Sequence, residues 1–286
     1  MSDARTVDAR LPFEIAVPGS TANLGPGYDA LALALQVYLR LRVEHAGGLK
    51  PGSVEWHFDG RPLSGDNYID RGFRAGLGDR ASLPALRVHV RSEIPMRGGL
   101  GSSAAALVAG LRLAAHFVPL SVDDLLQAAT GLEGHPDNVS ASLLGGLTVS
   151  CVSEGGRVHS LPVRWPTTWR IVVATPAIEL ATSEARTVVP TQVPLRDAVA
   201  NLQRASLLVQ AVHAHDAGAM REALRDRLHQ PFRSALVPGL ARALAFEAPS
   251  LIGTFLSGAG PSVAAVVTDD GNDVRRMFEA LYLDLG

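Results

Sequence analysis

The sequence predicts an α+β protein, and three observations carry that expectation. Segments 37–44 and 86–91 alternate apolar and polar residues with the two-residue period of half-buried strands. Segments 102–117 and 195–217 have the length and spacing of helices. The two kinds of segment do not follow one another in the strict strand–helix order of a doubly wound parallel sheet.

Taken in order, residues 11–18, L-P-F-E-I-A-V-P, read as a strand ending at a proline, followed by the loop G-S-T-A-N-L-G-P-G-Y-D. In 37–44, Val37, Leu39, Leu41 and Val43 share one face, and Arg40, Arg42 and Glu44 share the other. Residues 46–53 form a glycine/proline turn, 54–58 a short strand, and 66–79 a helix. Leu86, Val88 and Val90 point inward from the next strand. A helix over 102–117 stops at Pro119, and Ser121 opens another with the capping pattern S-V-D-D. Glycine, proline and asparagine crowd 131–138 and predict a loop. Strands are expected at 147–153, 157–161 and 170–174, a helix over 195–217, and a shorter one ending near Pro231. The turn S-G-A-G-P-S precedes the strand V-A-A-V-V, and a helix over 273–284 closes the chain. A domain boundary is expected near 155–170, where short strands meet W-P-T-T-W.

The totals narrow the function. The chain has 286 residues, enough for one large domain or two smaller ones, and 47% of them are apolar. A net charge of −2 offers no general attraction to nucleic acid or to an acidic membrane. No run of eighteen apolar residues suggests a spanning helix, and the first ten residues lack the apolar centre of a signal peptide. The single cysteine, Cys151, sits in the apolar strand L-T-V-S-C-V and is expected to pack in the core. It cannot form an internal disulfide, which suits a cytoplasmic location. Lys50 is the only lysine and lies in the turn G-G-L-K-P-G. A lysine-dependent phosphate loop, an S-x-x-K pair and Schiff-base chemistry therefore have little support. His213 and His215 diverge on a helix, and no H-E-x-x-H or C-x-x-C stands in the chain, so structural zinc is not expected.

The stretch most charged with chemistry is 95–105, P-M-R-G-G-L-G-S-S-A-A. A glycine turn that only lets a helix pack closely is the plain reading. A dinucleotide fingerprint fits G-L-G-S-S-A, but Asp123 and Asp124, at the right spacing for the ribose carboxylate, open an apparent helix. A hydrolase elbow around Ser103 fits G-x-S-x-G imperfectly, and nothing selects His135 or His229 as its base. The remaining reading is a phosphate held at a helix N-terminus. The first four amides of a helix lack internal partners, and the peptide dipoles place partial positive charge there. Glycines let the backbone approach an anion closely, and serine hydroxyls can meet phosphate or Mg²⁺. This needs no lysine.

These motifs resemble those of the GHMP kinases. P-M-R-G-G-L-G-S-S-A-A is similar to their central motif, P-x-x-x-G-L-G-S-S-A. Residues 17–29, V-P-G-S-T-A-N-L-G-P-G-Y-D, are similar to the first motif in its homoserine kinase form, A-P-A-S-S-A-N-L-G-P-G-F-D. S-G-A-G-P-S at 257–262 resembles the third motif, and E-G-H-P-D-N-V at 133–139 resembles a stretch typical of homoserine kinases. The four motifs run in order from about residue 13 to 267. Gly19, Thr21 and Tyr28 depart from the first motif, which has Ala, Ser and Phe there, and the C-terminal edge is short.

The resemblance implies a two-domain GHMP kinase fold. Residues 1–160 would form an ATP-binding half like ribosomal protein S5 domain 2, and 161–286 a ferredoxin-like half, with the active site between them. It implies phosphorylation of L-homoserine by ATP, on the route to threonine, and often a homodimer. A kinase for another small alcohol and a non-catalytic ligand binder stay open as rivals.

Site residues follow from the same resemblance, each against an ordinary structural alternative. Asn23 and Asp29 would hold the amino acid, with Asp29 on its ammonium group, although both residue types also cap turns. Asn67 would meet the adenine, or merely cap a helix. Pro95, Arg97, Gly98, Gly99, Leu100, Gly101, Ser102, Ser103, Ala104 and Gly260 would surround the phosphates. Ser103 and Glu133 would ligate Mg²⁺. His135 and Asn138 would contact substrate, Asn138 through the reacting hydroxyl, helped by Thr182. Arg186, four residues beyond Thr182, and Arg233 would clamp the carboxylate. No motif residue is an obvious base.

Overall fold

The computed structural model describes residues 11–62, 67–78 and 83–285. The predicted helix ends Asp66 and Asp79, and the segment 1–10, lie outside the described residues.

The first two strands form one long hairpin. β1 (Phe13–Asn23) and β2 (Gly27–His45) pair antiparallel, so most of the predicted loop at 19–29 is strand and only Leu24–Pro26 turns. Pro18 does not end β1. It sits beside a register shift between Pro18 and Ser20, where a missing N–H costs little. Within β2, Leu39, Leu41 and Val43 are buried while Arg40 and Arg42 are exposed, as the alternation predicts. β3 (Val54–Phe58), β4 (Arg61–Pro62), β5 (Leu86–Ser92), β6 (Leu147–Val152) and β7 (Val158–Val163) complete a seven-stranded sheet. Its order is β4-β3-β5-β2-β6-β7, with β1 also on β2. Cys151 lies on β6 but is exposed, so its predicted packing role is corrected: β6 turns Ser150 inward and Cys151 out.

Helices cover the sheet. α1 (Tyr68–Leu77) and α2 (Ser102–Ala114) pack against each other, and α3 (Val122–Glu133) starts with the predicted capping box at Ser121. Nine of the thirteen residues of α2 are buried, which is why its sequence is apolar nearly all round. One core joins Ile15, Leu41, Val88, Phe73, Val108 and Leu125 between these helices and the sheet. The predicted loop at 131–138 is short, because α4 (Asp137–Leu144) begins directly after Pro136. Proline at a helix start loses no bond, so a punctuating residue there opens a helix as readily as it ends one.

The second sheet is β8 (Arg170–Ala174), β10 (Val263–Val267) and β9 (Leu251–Leu256), all antiparallel, in the order β8-β10-β9. β10 is apolar throughout because both its faces are covered. Ala264 and Val266 enter one core with Leu24, Leu208 and Met220. Val263, Ala265 and Val267 enter another with Leu240 and Phe278. The helices of this part of the chain are α5 (Thr182–Thr187), α6 (Leu195–Ala214), α7 (Ala217–Ala223), α8 (Gln230–Arg233), α9 (Leu240–Leu244) and α10 (Asn272–Asp284); α7 and α9 pack on β9, and α10 on β8. Pro231 lies within the first positions of α8 instead of ending a helix, again because early helical N–H groups need no partner. α9 was not expected, being only five residues long. Among the described residues no helix is long and apolar enough to cross a membrane.

Candidate active site

The loop between β5 and α2 is held in a shape that demands glycine. Gly99 (φ 75°) and Gly101 (φ 67°) are left-handed. A Cβ on Gly99 would stand 2.6 Å from the carbonyl oxygens of both Ser257 and Gly260, and one on Gly101 would stand 2.5 Å from Ser20 Oγ. The chain therefore brings two glycine turns, 97–101 and 257–262, into backbone contact. Ser257 Oγ donates to Gly99 O at 2.7 Å, and Ser262 donates to Gly98 O through both its backbone N–H and its hydroxyl. Gly101 stands at the N-cap of α2, where it has no side chain to offer, and no acidic residue follows in the first turn. Ser102 begins the helix instead of capping it. The opening amides of α2 thus keep their positive partial charge for a ligand.

Beside these amides stand two hard oxygen donors. Ser103 Oγ donates to Glu133 Oε1 at 2.6 Å, joining the first turn of α2 to the last residue of α3. A hydroxyl and a carboxylate at this separation, next to an anion cradle, suit a Mg²⁺ ion that takes its other ligands from phosphate and water. Among the described residues no group of three or more His, Cys, Asp and Glu is placed to hold a metal.

Beyond Glu133 the chain turns through Gly134 and enters α4. His135 Nδ1 donates to Asp137 Oδ1 at 2.8 Å, and the same oxygen accepts the backbone N–H of Asn138. Burial alone would push the His135 imidazole down. The hydrogen bond and charge of Asp137, with Glu133 behind it, outweigh burial and hold it above its ordinary value. Asn138 is buried, and its amide donates to Ser20 Oγ at 2.9 Å.

The far wall is cationic. Arg186 on α5 grips Asp29 bidentately, at 2.9 and 2.7 Å, and the hydrogen bond to Asp29 keeps the guanidinium firmly charged. Asp29 (φ 57°) is set by Asn23, whose Oδ1 accepts the Asp29 N–H while its Nδ2 donates to Gly258 O at 2.9 Å. Arg233 is 2% exposed, yet among the described residues it forms no ion pair with a carboxylate. Its Nε donates to Ala185 O at 3.0 Å, one Nη to Gly258 O at 3.0 Å, and the other toward the Tyr28 hydroxyl at 3.4 Å. Burial pulls its pKa down, the mark of a cation short of compensation. His229 donates from Nε2 to Gly25 O at 2.7 Å, and Nδ1 receives Arg233. Burial lowers the His229 pKa, which suits the neutral ring that this pairing requires.

These groups line one cavity. Asn23, Asp29, Thr182, Arg186 and Arg233 line it, and so do Arg97, Gly99, Gly101, Ser102 and Ser103. Glu133, His135, Asn138 and Gly260 line it as well. Other predicted residues stand apart. Asn67 caps α1, its Oδ1 accepting the Asp70 N–H at 2.6 Å, and it does not line the cavity. Leu100 and Ala104 are buried in the core, and neither they nor Pro95 and Gly98 line the cavity, so what they can offer a phosphate is backbone. Asp137, which lines the cavity, and Ser20, Tyr28 and His229, which contact its lining residues or their loop, were missed. The first three lie inside recognised motifs; His229 lies four residues before Arg233 but meets Gly25 only after folding.

Similarity to known proteins gives the family. The family description "GHMP kinases N terminal domain" matches residues 67–146, and "GHMP kinases C terminal" matches 208–283. A curated homoserine kinase of Solibacter usitatus is 39% identical over 273 residues, spanning 94% of this chain and 90% of that protein. A homoserine kinase of Thermus thermophilus is 41% identical over 255 residues, spanning 87% and 85%. The crystal structure of homoserine kinase from Cytophaga hutchinsonii superposes with a TM-score of 0.80 at 26% identity, over 94% of this chain and 91% of that one. Streptococcus pneumoniae phosphomevalonate kinase, solved with phosphomevalonate and AMPPNP, shares the fold with a TM-score of 0.72 at 13% identity, over 96% and 97% of the two chains. The seven-stranded and three-stranded sheets are the two halves of that α+β fold, and the chain belongs to the GHMP kinase family.

Proposed function

We propose that this chain is a homoserine kinase, converting ATP and L-homoserine to ADP and O-phospho-L-homoserine, an intermediate on the way to threonine. The observation that carries the reading is the juxtaposition in one cavity of an uncapped helix start with a carboxylate and two arginines. The first suits a triphosphate. The second suits a zwitterion, since Asp29 can take an ammonium while Arg186 and Arg233 take a carboxylate. Similarity to homoserine kinases along most of the chain supports the same substrate.

In this reading the phosphates of ATP lie over the opening amides of α2, flanked by Arg97 and Gly260. Asn67 meets the adenine. Ser103 and Glu133 would hold Mg²⁺, which when bound would supply positive charge to the phosphate oxygens. The zwitterion of homoserine divides the Asp29–Arg186 pair, giving each a new partner of the same charge as the old one. Buried Arg233 gains the anion it lacks. Asn138, held by Ser20, and Thr182 direct the substrate hydroxyl toward the γ-phosphorus.

No side chain is needed to take the hydroxyl proton early. Asp29 is committed to charge pairing, and Asp137 accepts from His135 and from the Asn138 backbone. Phosphoryl transfer can pass through a loose transition state with little early deprotonation of the nucleophile. Positioning alone can supply roughly 7–11 kcal/mol of the barrier. Residues 1–160 and 161–286 are the two halves in this proposal, supported by two separate family matches. The enzyme acts in the cytoplasm on small molecules.

The test is ADP release measured with a coupled assay, with and without L-homoserine, across a panel of small alcohols that includes mevalonate and N-acetyl-homoserine. Homoserine-dependent turnover that is lost when the ammonium is acetylated is expected. Equal turnover with an uncharged alcohol would refute the zwitterion site.

A further inference from the structure

Tyr28 stands where the homoserine kinase form of the first motif has phenylalanine, and the structure gives its extra hydroxyl two partners. Arg186 Nη1 donates to it at 3.2 Å and Arg233 Nη2 at 3.4 Å. Both guanidinium carbons also lie over its ring, 5.6 and 5.2 Å from the centroid. The opposite support is His229, whose ring stacks on Tyr28 with centroids 5.3 Å apart and whose Nδ1 receives Arg233. Tyr28 does not line the cavity itself. Any effect it has on a ligand must pass through the arginines.

Two guanidinium groups facing one carboxylate repel each other until the anion arrives. Asp29 pairs with Arg186, but among the described residues the hydrogen-bond partners of Arg233 are neutral. A phenolic oxygen has two lone pairs, enough to accept one N–H from each arginine. An aromatic face attracts both cations further. One side chain therefore holds both cations against the same oxygen and ring.

We propose that the Tyr28 hydroxyl is a positioning residue for amino-acid recognition in this chain: it ties Arg186 and Arg233 into a single preformed carboxylate fork. A phenylalanine there keeps the ring contacts but cannot accept from either arginine. The inference rests on the homoserine kinase reading.

The test is Tyr28→Phe, which deletes one oxygen and preserves packing. Hydrogen bonds to charged groups are strong enough that KM for L-homoserine should rise roughly 5–20-fold, while kcat and KM for ATP stay within about twofold. Tyr28→Leu, which also removes the ring, should raise that KM further. An unchanged homoserine KM in Tyr28→Phe, beside an active wild type, overturns the inference and leaves the functional reading standing. A fall in kcat or a shift in ATP KM of the same size also overturns it, because a general loosening of the fold would move all three. Wild-type protein that shows no homoserine-dependent ADP release overturns the functional reading instead, and this inference with it.

Discussion

Replacing Gly99 with alanine should damage both stability and nucleotide binding, because Gly99 is where the two glycine turns touch. The residue is left-handed, with φ 75°. A side chain in that conformation costs about 1–2 kcal/mol. The new Cβ would stand 2.6 Å from two carbonyl oxygens, where ordinary contact begins at 3.4 Å, so the turns must part by about 0.8 Å. Both obstacles are backbone, and no side-chain rotation relieves them. Parting the turns strains the bonds from Ser257 to Gly99 O and from Ser262 to Gly98 O, each worth about 0.5–1.5 kcal/mol. The sum is roughly 2–5 kcal/mol, a fall in Tm of order 10 °C for a chain of this size. A displacement near 1 Å in a positioning site can cost about 10²-fold in kcat/KM. Gly98 is the control. It is not left-handed, and its added Cβ meets mainly the Pro95 side chain at 3.0 Å, so Gly98→Ala should be milder. Thermal melts and ATP-dependent kinetics of the two variants check this. A Gly99→Ala protein within about 2 °C of wild type, with unchanged ATP KM, would refute the claim that contact between the turns shapes the phosphate site.

Other perturbations test other parts of the site. Arg233→Lys should raise the homoserine KM by roughly 10²-fold, because an ammonium cannot reproduce the planar fork that reaches Ala185 O, Gly258 O and a carboxylate together; steady-state kinetics report it. Glu133→Gln should lower kcat by about 10²-fold or more and raise the Mg²⁺ concentration needed for half-maximal rate, with the melting curve little changed, since the Ser103–Glu133 pair is only part-buried. His135 gives a pH signature. Its folded pKa is raised, so its contribution to stability is fully present below the ordinary imidazole value of about 6.5 and is lost as pH climbs through the raised value. The stability advantage of wild type over His135→Gln, measured by denaturant melts, should therefore be larger near about pH 6 than near about pH 9; an advantage that grows with pH would contradict the Asp137 contact.

Local chemistry was legible in the chain, and particular residues show how far. The capping box at Ser121 and the alternation through Leu39, Leu41 and Val43 came out as expected, because each depends on neighbours within a few positions. The glycines of 98–101 marked a special loop before a helix, and the structure puts Gly99 and Gly101 in the left-handed region, which only the folded chain reveals. The loop over 131–138 was misread because proline and glycine mark chain reversals without saying whether a helix follows. Cys151 was misread because apolar neighbours along a strand do not reveal which face meets the core.

What the amino-acid order determined by itself is the list of groups: a glycine-rich helix start without lysine, a carboxylate at Asp29 near the end of a glycine/proline motif, and arginines in recognisable surroundings. Only the tertiary structure decided their partnerships. Asp29 meets Arg186 across 157 positions, and Tyr28 meets Arg233 across 205. Gly99 touches Gly260 only because the β9–β10 turn is folded onto the loop before α2. Charge pairing and close packing act over a few ångströms of space, and separation along the chain carries no information about that distance until the two sheets have set it.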